Sequence, residues 1–207
     1  VVDFADVVFL AVKPQFLEEV LDEIKDNVKE GQIFISIAPG KTLQWLGEHL
    51  GEGTKIIRTM PNTPAMVGEG MTALCVNEQV TEQEKLLAVT LCNTFGKSEV
   101  IPEHLMDAVV GVSGSSPAYV FMFLEAMADA AVADGMPRAQ AYKFAAQAVL
   151  GSAKLMLETG KHPGELKDMV CSPAGTTIQA VRVLEEKGLR SAVIEAQMEC
   201  VKKAKGM

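Results

Sequence analysis

The sequence is poor in aromatic residues and cysteine. Only eleven of its 207 residues are Phe, Tyr or Trp, which argues against a β-sandwich and favours closely packed helices. Its four cysteines, at positions 75, 92, 171 and 200, include no Cys-x-x-Cys pair, so neither a zinc site nor a redox motif of that kind is expected. We expect all four to be reduced core residues of a cytoplasmic protein.

Positive charge and uninterrupted apolar runs are also scarce. The chain has 19 basic against 27 acidic residues, a formal net charge of −8, which argues against nucleic acid as a partner. Its longest apolar stretch, residues 115–133, is broken by Glu125 and Asp129, so no membrane span is expected. With 48% hydrophobic residues over 207 positions, the sequence is typical of a folded globular protein with one or two domains.

The first half of the chain, residues 1–101, alternates short apolar runs with helical patterns and predicts an α/β fold. Strands are predicted at residues 7–12, 33–37, 55–58, 71–76 and 100–101. The predicted helices begin at Pro14, Thr42 and Thr81, where proline or a capping threonine favours a helix start. The alternation implies a parallel or mostly parallel sheet with right-handed crossovers.

The second half contains no convincing strand pattern, so the predicted fold class is α/β plus all-α, with a domain boundary near residue 102. Helices are predicted over residues 105–112, 117–134, 137–158, 176–187 and 190–205, with a turn around residues 160–164. The helix over residues 117–134 is apolar nearly all round, so it requires burial on every side. We expect an interlocked homodimer that shares it; one central helix in a monomeric bundle is the alternative.

Three loops follow predicted strands, and the carboxyl ends of parallel strands are where open sheets bind ligands. The loops are Ala11–Pro14, Ser36–Gly40 and Met60–Pro64. Lys13 is suited to a ribose, phosphate or carboxylate, and Asn62 to an amide or a sugar; ordinary turns with a solvated lysine are the alternative. Residues 68–73 match the spelling of a dinucleotide-binding glycine motif, but they run into a strand instead of opening a helix, so we reject the match.

In the helical half, a loop of Ser172, Pro173 and Gly175 leads into a helix that begins at Thr176 or Thr177. Free backbone N–H groups at a helix start, with hydroxyls beside them, favour a small carboxylate; plain N-capping is the alternative. Residues 113–117 precede a long helix in the same way and either face the same cleft or cap that helix. The three histidines show no metal-ligand spacing.

Taken together, these motifs resemble those of the pyrroline-5-carboxylate reductases, most closely the bacterial branch. The motifs that carry the resemblance are Ala11-Val-Lys-Pro14, Met60-Pro-Asn-Thr-Pro64, Gly111-Val-Ser-Gly-Ser-Ser-Pro-Ala-Tyr119, Gly135-Met-Pro-Arg138, and His162–Asp168 running into Ser172–Thr177. The resemblance implies the C-terminal part of a Rossmann-like NAD(P)-binding domain over residues 1–102. A helical dimerisation and substrate domain follows over residues 103–207, in dimers that often assemble further.

The implied reaction is the reduction of L-1-pyrroline-5-carboxylate to L-proline by NADPH or NADH, the last step of proline biosynthesis. The resemblance implies cofactor contacts at Ala11, Val12, Lys13, Pro14, Ser36, Ile37, Ala38 and Asn62. It implies substrate contacts at Ser172, Gly175, Thr176, Thr177 and Glu103. Among these, the Thr177 hydroxyl is expected to bond the ring nitrogen during catalysis, and no metal is expected.

The sequence departs from the family pattern in two places. The family usually has glycine where this chain has Ala174, and a positive φ there costs an alanine on the order of 1 kcal/mol. No glycine-rich phosphate loop is present; we expect it, with a first strand, upstream of Val1, and expect the chain as given to bind the cofactor poorly.

Two other interpretations of the sequence remain open. A β-hydroxyacid dehydrogenase or an imine reductase shares the two-domain plan and typically has a catalytic lysine on a helical-domain helix, but Lys143 and Lys154 sit in no such motif. A non-catalytic dimerisation module is the other interpretation. The choice between NADPH and NADH and the assembly beyond the dimer are not fixed by the sequence.

Overall fold

The computed structural model describes residues 1–206, in which five strands and nine α-helices follow one another. The strands are β1 Val7–Leu10, β2 Ile33–Ser36, β3 Lys55–Met60, β4 Gly70–Val76 and β5 Gly96–Val100. The helices are α1 Pro14–Ile24, α2 Leu43–Leu50, α3 Glu82–Cys92, α4 Met106–Val109, α5 Ser116–Ala133, α6 Arg138–Thr159, α7 Pro163–Val170, α8 Thr176–Glu186 and α9 Leu189–Lys205.

The strands form one sheet in the order β1-β2-β3-β4-β5. β1, β2 and β3 pair in parallel, β4 runs antiparallel to β3, and β5 is parallel to β4. The reversal at β4 has a simple cause, because residues 61–69 are too few for a parallel crossover, which needs a dozen or more residues. The predicted mostly parallel sheet is therefore confirmed.

Helices cover both faces of this sheet, and every residue of β2 is buried between them. On one face, Leu17 of α1 and Leu46 of α2 pack with Phe34 and Ile56. On the other face, Ala88 of α3 joins a second cluster with residues of β2, β3 and β4. Such two-sided burial explains why the strands are continuous apolar runs in the sequence.

The predicted helix starts in this half are correct for local chemical reasons. Pro14 occupies the first turn of α1. Thr42 accepts a hydrogen bond from the Trp45 N–H at 3.0 Å, and Thr81 forms a reciprocal capping box with Glu84. Other predicted ends agree to within a few residues.

Two predictions about elements were wrong, and a third was correct only in part. β5 occupies Gly96–Val100 where residues 100–101 were predicted, because an edge strand with polar residues lacks an apolar signature. The predicted turn at residues 160–164 runs into α7, which begins at Pro163 after His162 Nδ1 accepts from the Gly164 N–H at 3.1 Å. The predicted helix over residues 105–112 is α4 followed by a π-helical turn, Val110–Gly114.

The described chain forms two compact units, Val1–Pro117 with the chain from Gln197 onward, and Ala118–Ala196. The domain boundary near residue 102 stays a prediction. One helical stretch, Glu103–Ala133, is long and apolar enough to cross a membrane by length and composition alone, and only 6% of its most apolar window is buried in this chain. The all-round apolar surface predicted for α5 is therefore largely uncovered in a single chain.

Gly70 of β4 pairs with Gly96 of β5, and the space at Gly96 can be tested. A Cβ on Gly96 would lie 2.0 Å from the Gly70 carbonyl oxygen, whereas a Cβ on Gly47 in α2 would make ordinary contact at 3.8 Å with Ile56. We expect Gly96→Ala to lower the free energy of unfolding by about 3 kcal/mol and Gly47→Ala to raise it by up to about 1 kcal/mol. Urea denaturation measures both; equal effects would contradict this account.

Candidate functional site

The ends of β1, β2 and β3 meet at one edge of the sheet. Leu10 is in register with Ser36, and Ser36 with Arg58, so the segments that follow these strands leave the sheet side by side. The structure thus brings the predicted cofactor residues of the three loops to a common edge. The Ile37 N–H also donates to the Leu10 carbonyl at 3.3 Å, which ties the first two loops together.

The second of these loops is held by burial and by internal hydrogen bonds. Ser36 is fully buried, its hydroxyl accepts from the Ala38 N–H at 3.3 Å, and its carbonyl accepts from the Thr59 hydroxyl at 3.0 Å. Ala38 is also buried, while Ile37 is half-buried. Since the Ser36 hydroxyl is used inside the loop, this loop presents backbone and an apolar side chain to a ligand.

The first loop, after β1, contributes a positively charged side chain, Lys13, to this edge of the sheet. Lys13 is exposed and precedes Pro14, the first residue of α1. Within residues 1–206 its ammonium makes no salt bridge closer than 4.0 Å. Lys13 is therefore free to bind an anionic group; of its neighbours, Ala11 is exposed and Val12 packs against the core.

Asn62, on the third loop, has most of its hydrogen-bonding capacity committed. Its Nδ2 donates to the Ser113 carbonyl at 3.3 Å and to the Ser113 hydroxyl at 3.1 Å. Its Oδ1 accepts from the Met71 N–H at 2.9 Å. What remains is one acceptor position on Oδ1. This pairing could not be predicted from the sequence, because Ser113 lies 51 residues further along the chain.

Glu103 is held by two groups that the sequence did not connect to it. Its Oε1 accepts from the Leu43 N–H, at the start of α2, at 2.7 Å and from Arg58 Nη1 at 2.9 Å. The Arg58 side chain is 8% exposed, so the ion pair is largely shielded. The carboxylate thereby satisfies an orphan N–H and complements the positive end of α2. At least one of its oxygens is thus engaged inside the protein.

Cys75 pairs with Arg58 across the sheet. Burial, with the negative charge of Glu103, raises the pKa of the Cys75 thiol to about 12, against the opposing effect of Arg58. The thiol therefore stays protonated at neutral pH and is not a nucleophile. Of the four free cysteines, Cys75 and Cys92 are buried, but Cys171 and Cys200 are partly exposed, so the prediction of four core cysteines was wrong for two.

The loop before α8 is a tight turn in which the Gly175 N–H donates to the Ser172 carbonyl at 3.0 Å. Ala174 has φ +57°, the one positive φ outside glycine among residues 1–206. A Cβ on Gly175 would lie 2.2 Å from the Ser172 hydroxyl oxygen, so a side chain there would displace that hydroxyl. The positive φ predicted as a problem for Ala174 is present.

Gly175 is the N-cap residue of α8, and no side chain among the described residues caps this helix. Plain N-capping by Ser172 or a threonine is therefore not what the structure shows. The first N–H groups of α8, with Thr176 exposed and Thr177 half-buried at its start, are open to an acceptor from outside. A small carboxylate is the natural acceptor at such a helix end.

No metal centre competes with this arrangement. In the part of the chain from Val1 to Gly206, no group of three or more His, Cys, Asp or Glu side chains is placed to hold a metal ion. Lys154 lies 3.6 Å from Glu158 on an exposed surface, which does not suit a catalytic lysine.

Comparison with known proteins gives one consistent result. The family model described as pyrroline-5-carboxylate reductase dimerisation matches residues 103–207, and the model described as NADP oxidoreductase, coenzyme F420-dependent, matches residues 1–40. A pyrroline-5-carboxylate reductase of Escherichia coli K12 is 60% identical over 99% of this chain and 76% of its own length. One of Methanosarcina acetivorans is 46% identical over 97% of this chain and 74% of its own length.

Two solved structures agree closely with the fold. A pyrroline-5-carboxylate reductase from Coxiella burnetii superposes with a TM-score of 0.92 at 39% identity, over 99% of this chain and 76% of that one. A Plasmodium falciparum pyrroline carboxylate reductase with NADP bound gives 0.92 at 32% identity, over 99% and 78%.

The positive φ of Ala174 leads to a prediction about stability. We expect Ala174→Gly to raise the free energy of unfolding by roughly 0.5–1 kcal/mol, because relief of about 1–2 kcal/mol of left-handed strain outweighs the entropy that glycine adds to the unfolded chain. Ala180→Gly, inside α8, is the matched control and should lower it by about 1 kcal/mol. Chemical denaturation measures both; destabilisation by Ala174→Gly would contradict the strain.

The Arg58–Glu103 pair leads to a second prediction. Glu103→Ala leaves a shielded guanidinium without its partner, and we expect a loss of about 2–3 kcal/mol of stability, with about half that for Glu103→Gln, which keeps an acceptor. Glu82→Ala is the control, because Glu82 pairs with Lys85 at an exposed site, and should change stability by less than about 0.5 kcal/mol. Equal losses for Glu103→Ala and Glu82→Ala in urea denaturation would refute the shielded pair.

Proposed function

Because the chain belongs to the pyrroline-5-carboxylate reductase family and reduces L-1-pyrroline-5-carboxylate to L-proline with a nicotinamide cofactor, we propose which of its residues hold the two molecules. The reaction is the final step of proline biosynthesis, catalysed by an oxidoreductase that acts on a CH–NH bond. The rival interpretations, a hydroxyacid dehydrogenase, an imine reductase or a non-catalytic module, are excluded by this membership.

For the cofactor we propose the edge formed by Ala11–Pro14, Ser36–Ala38 and Asn62. The residues fit such a group, since the loops leave adjacent parallel strands and Lys13 offers an exposed ammonium to an anion. The Ser36–Ala38 turn offers a backbone surface, and Asn62 Oδ1 retains one acceptor position for a ribose hydroxyl. When bound, the reduced nicotinamide supplies the hydride. We propose NADPH as the working cofactor, with NADH as the alternative.

For the substrate we propose the start of α8. Its carboxylate would accept hydrogen bonds from the free N–H groups after Gly175, beside the hydroxyls of Ser172 and Thr176. The observation that carries this proposal is the helix start without a side-chain cap, next to a glycine where a Cβ would displace the Ser172 hydroxyl. A helix end of this kind stabilises an anion by its unpaired donors and by its dipole.

We propose that Thr177 orients the ring. Its hydroxyl would hydrogen-bond the ring nitrogen, while hydride adds to the carbon of the C=N bond and the π electrons of that bond become the nitrogen lone pair. A protonated imine is already a good hydride acceptor, so this chain has to position the substrate and need not supply a strong acid. For Glu103 we propose a supporting role, in which it fixes the start of α2 through Leu43.

The chain is a homodimer, in accordance with the dimerisation family that its helical half matches. We propose that the second copy covers the exposed apolar side chains of α5 and α6, such as Phe121, Met122, Phe144 and Leu157, so that this surface meets protein and not lipid. We also propose a cytoplasmic location, assembly of dimers into larger particles, and no nucleic-acid partner, since the net charge is −8.

The role of Thr177 is tested by two variants. Thr177→Ala removes the hydroxyl, and we expect kcat/KM for pyrroline-5-carboxylate to fall about 10- to 100-fold, the size of one hydrogen bond to a charged group. Thr177→Ser keeps the hydroxyl and should stay within about threefold. Thr90→Ala removes an exposed hydroxyl on α3 and is the control. An unchanged kcat/KM in Thr177→Ala would exclude the proposed role.

A further inference from the structure

We propose that Asn62 and Ser113 form a clasp that positions the loop after β3, and that both are positioning residues for the reaction. The inference rests on the proposed function, because it assumes that this edge of the sheet holds the cofactor. The term Asn62–Ser113 clasp denotes the two hydrogen bonds from Asn62 Nδ2 to the carbonyl and hydroxyl of Ser113.

Asn62 joins three parts of the chain. Its backbone belongs to the loop that leaves β3, its Oδ1 accepts from the Met71 N–H in β4, and its Nδ2 donates to Ser113 in the π-helical turn Val110–Gly114. Both amide hydrogens are used, so no donor is left for a ligand. A side chain committed in this way influences a bound molecule mainly by holding the loop in place.

The π-helical turn explains why Ser113 needs such a donor. In an α-helix the Ser113 carbonyl would accept from the residue four positions on, which is Pro117 and has no N–H. The chain accommodates this with a wider turn, in which the Ser115 N–H donates to the Val110 carbonyl at 2.8 Å. Asn62 supplies the donor that Pro117 cannot give.

The turn itself is fixed by close packing. A Cβ on Gly114 would lie 2.8 Å from Met60 Cε, and one on Gly111 would lie 2.8 Å from Gln197 Cγ. The Ser115 hydroxyl lies 3.0 Å from the Cys200 sulfur in α9. Because Met60 and α9 pack against this turn, the clasp ties the loop at the end of β3 to a closely packed part of the chain.

The test compares the clasp with a second hydrogen-bonded Asn–Ser pair, in which serine is the donor. The Ser98 hydroxyl donates to Asn93 Oδ1 at 2.9 Å, so Ser98→Ala is the matched control. The variants are Asn62→Ala, Ser113→Ala, their combination and Ser113→Thr, which keeps a hydroxyl. The measurements are hydrogen–deuterium exchange at Met71 and residues 110–115 in the protein without cofactor, and KM and kcat with NADPH.

We expect Asn62→Ala to speed exchange at Met71 by about tenfold or more and to raise the KM for NADPH about three- to tenfold, with a smaller change in kcat. Ser113→Ala should shift both in the same direction, Ser113→Thr should stay close to the unmodified protein, and the double variant should be no worse than Asn62→Ala. Ser98→Ala should change neither quantity.

Unchanged exchange at residues 110–115 in Asn62→Ala would overturn the clasp, and faster exchange with an unchanged KM would overturn its positioning role. Additive effects in the double variant would also count against it. If Asn62→Ala does not fold, the contrast between Ser113→Ala and Ser113→Thr decides. Failure of the proposed function is seen separately, as an absence of protection by NADPH at residues 11–14 and 36–38 in unmodified protein that includes the phosphate loop expected upstream of Val1.

Discussion

The parallel pairing of β2 with β1 and β3 is the constraint on which the rest of this half depends. It fixes Leu10 beside Ser36 and Ser36 beside Arg58, so three loops that are distant in sequence leave the sheet at one edge. Because β2 is buried on both faces, its register cannot slip without exposing apolar side chains to water. The same register also positions Arg58, which pairs with Glu103. Glu103 in turn accepts from the Leu43 N–H, so the start of α2 is anchored to the sheet.

What could be predicted from the sequence follows from how local its physical causes are. Thr81 and Glu84 cap the same helix start and lie three residues apart, so the capping box could be predicted from the sequence. β5 was not, because an edge strand with Lys97 and Glu99 carries no alternation of apolar and polar residues. α7 was missed because a glycine in its first turn suggested a turn and not a helix.

The candidate site shows the same division between local and long-range causes. The sequence identified the three edge loops and the loop before α8, because each is a contiguous motif at the end of a predicted element. It did not reveal that Asn62 is committed to Ser113, or that Glu103 is committed to Arg58 and Leu43. Those pairings connect residues 45 to 60 positions apart, and only the fold determines them.

If the start of α8 binds the substrate carboxylate as proposed, its missing cap affects the stability of the enzyme without substrate. A side-chain cap contributes typically about 1 kcal/mol to a helix, and α8 lacks one. A bound carboxylate would complete the hydrogen bonding of the first turn, so binding and local folding there would be one coupled equilibrium. Part of the binding free energy of substrate or product would then be used to order the first turn of α8 around Thr176 and Thr177. In the free enzyme, this turn would be the first part of α8 to fray.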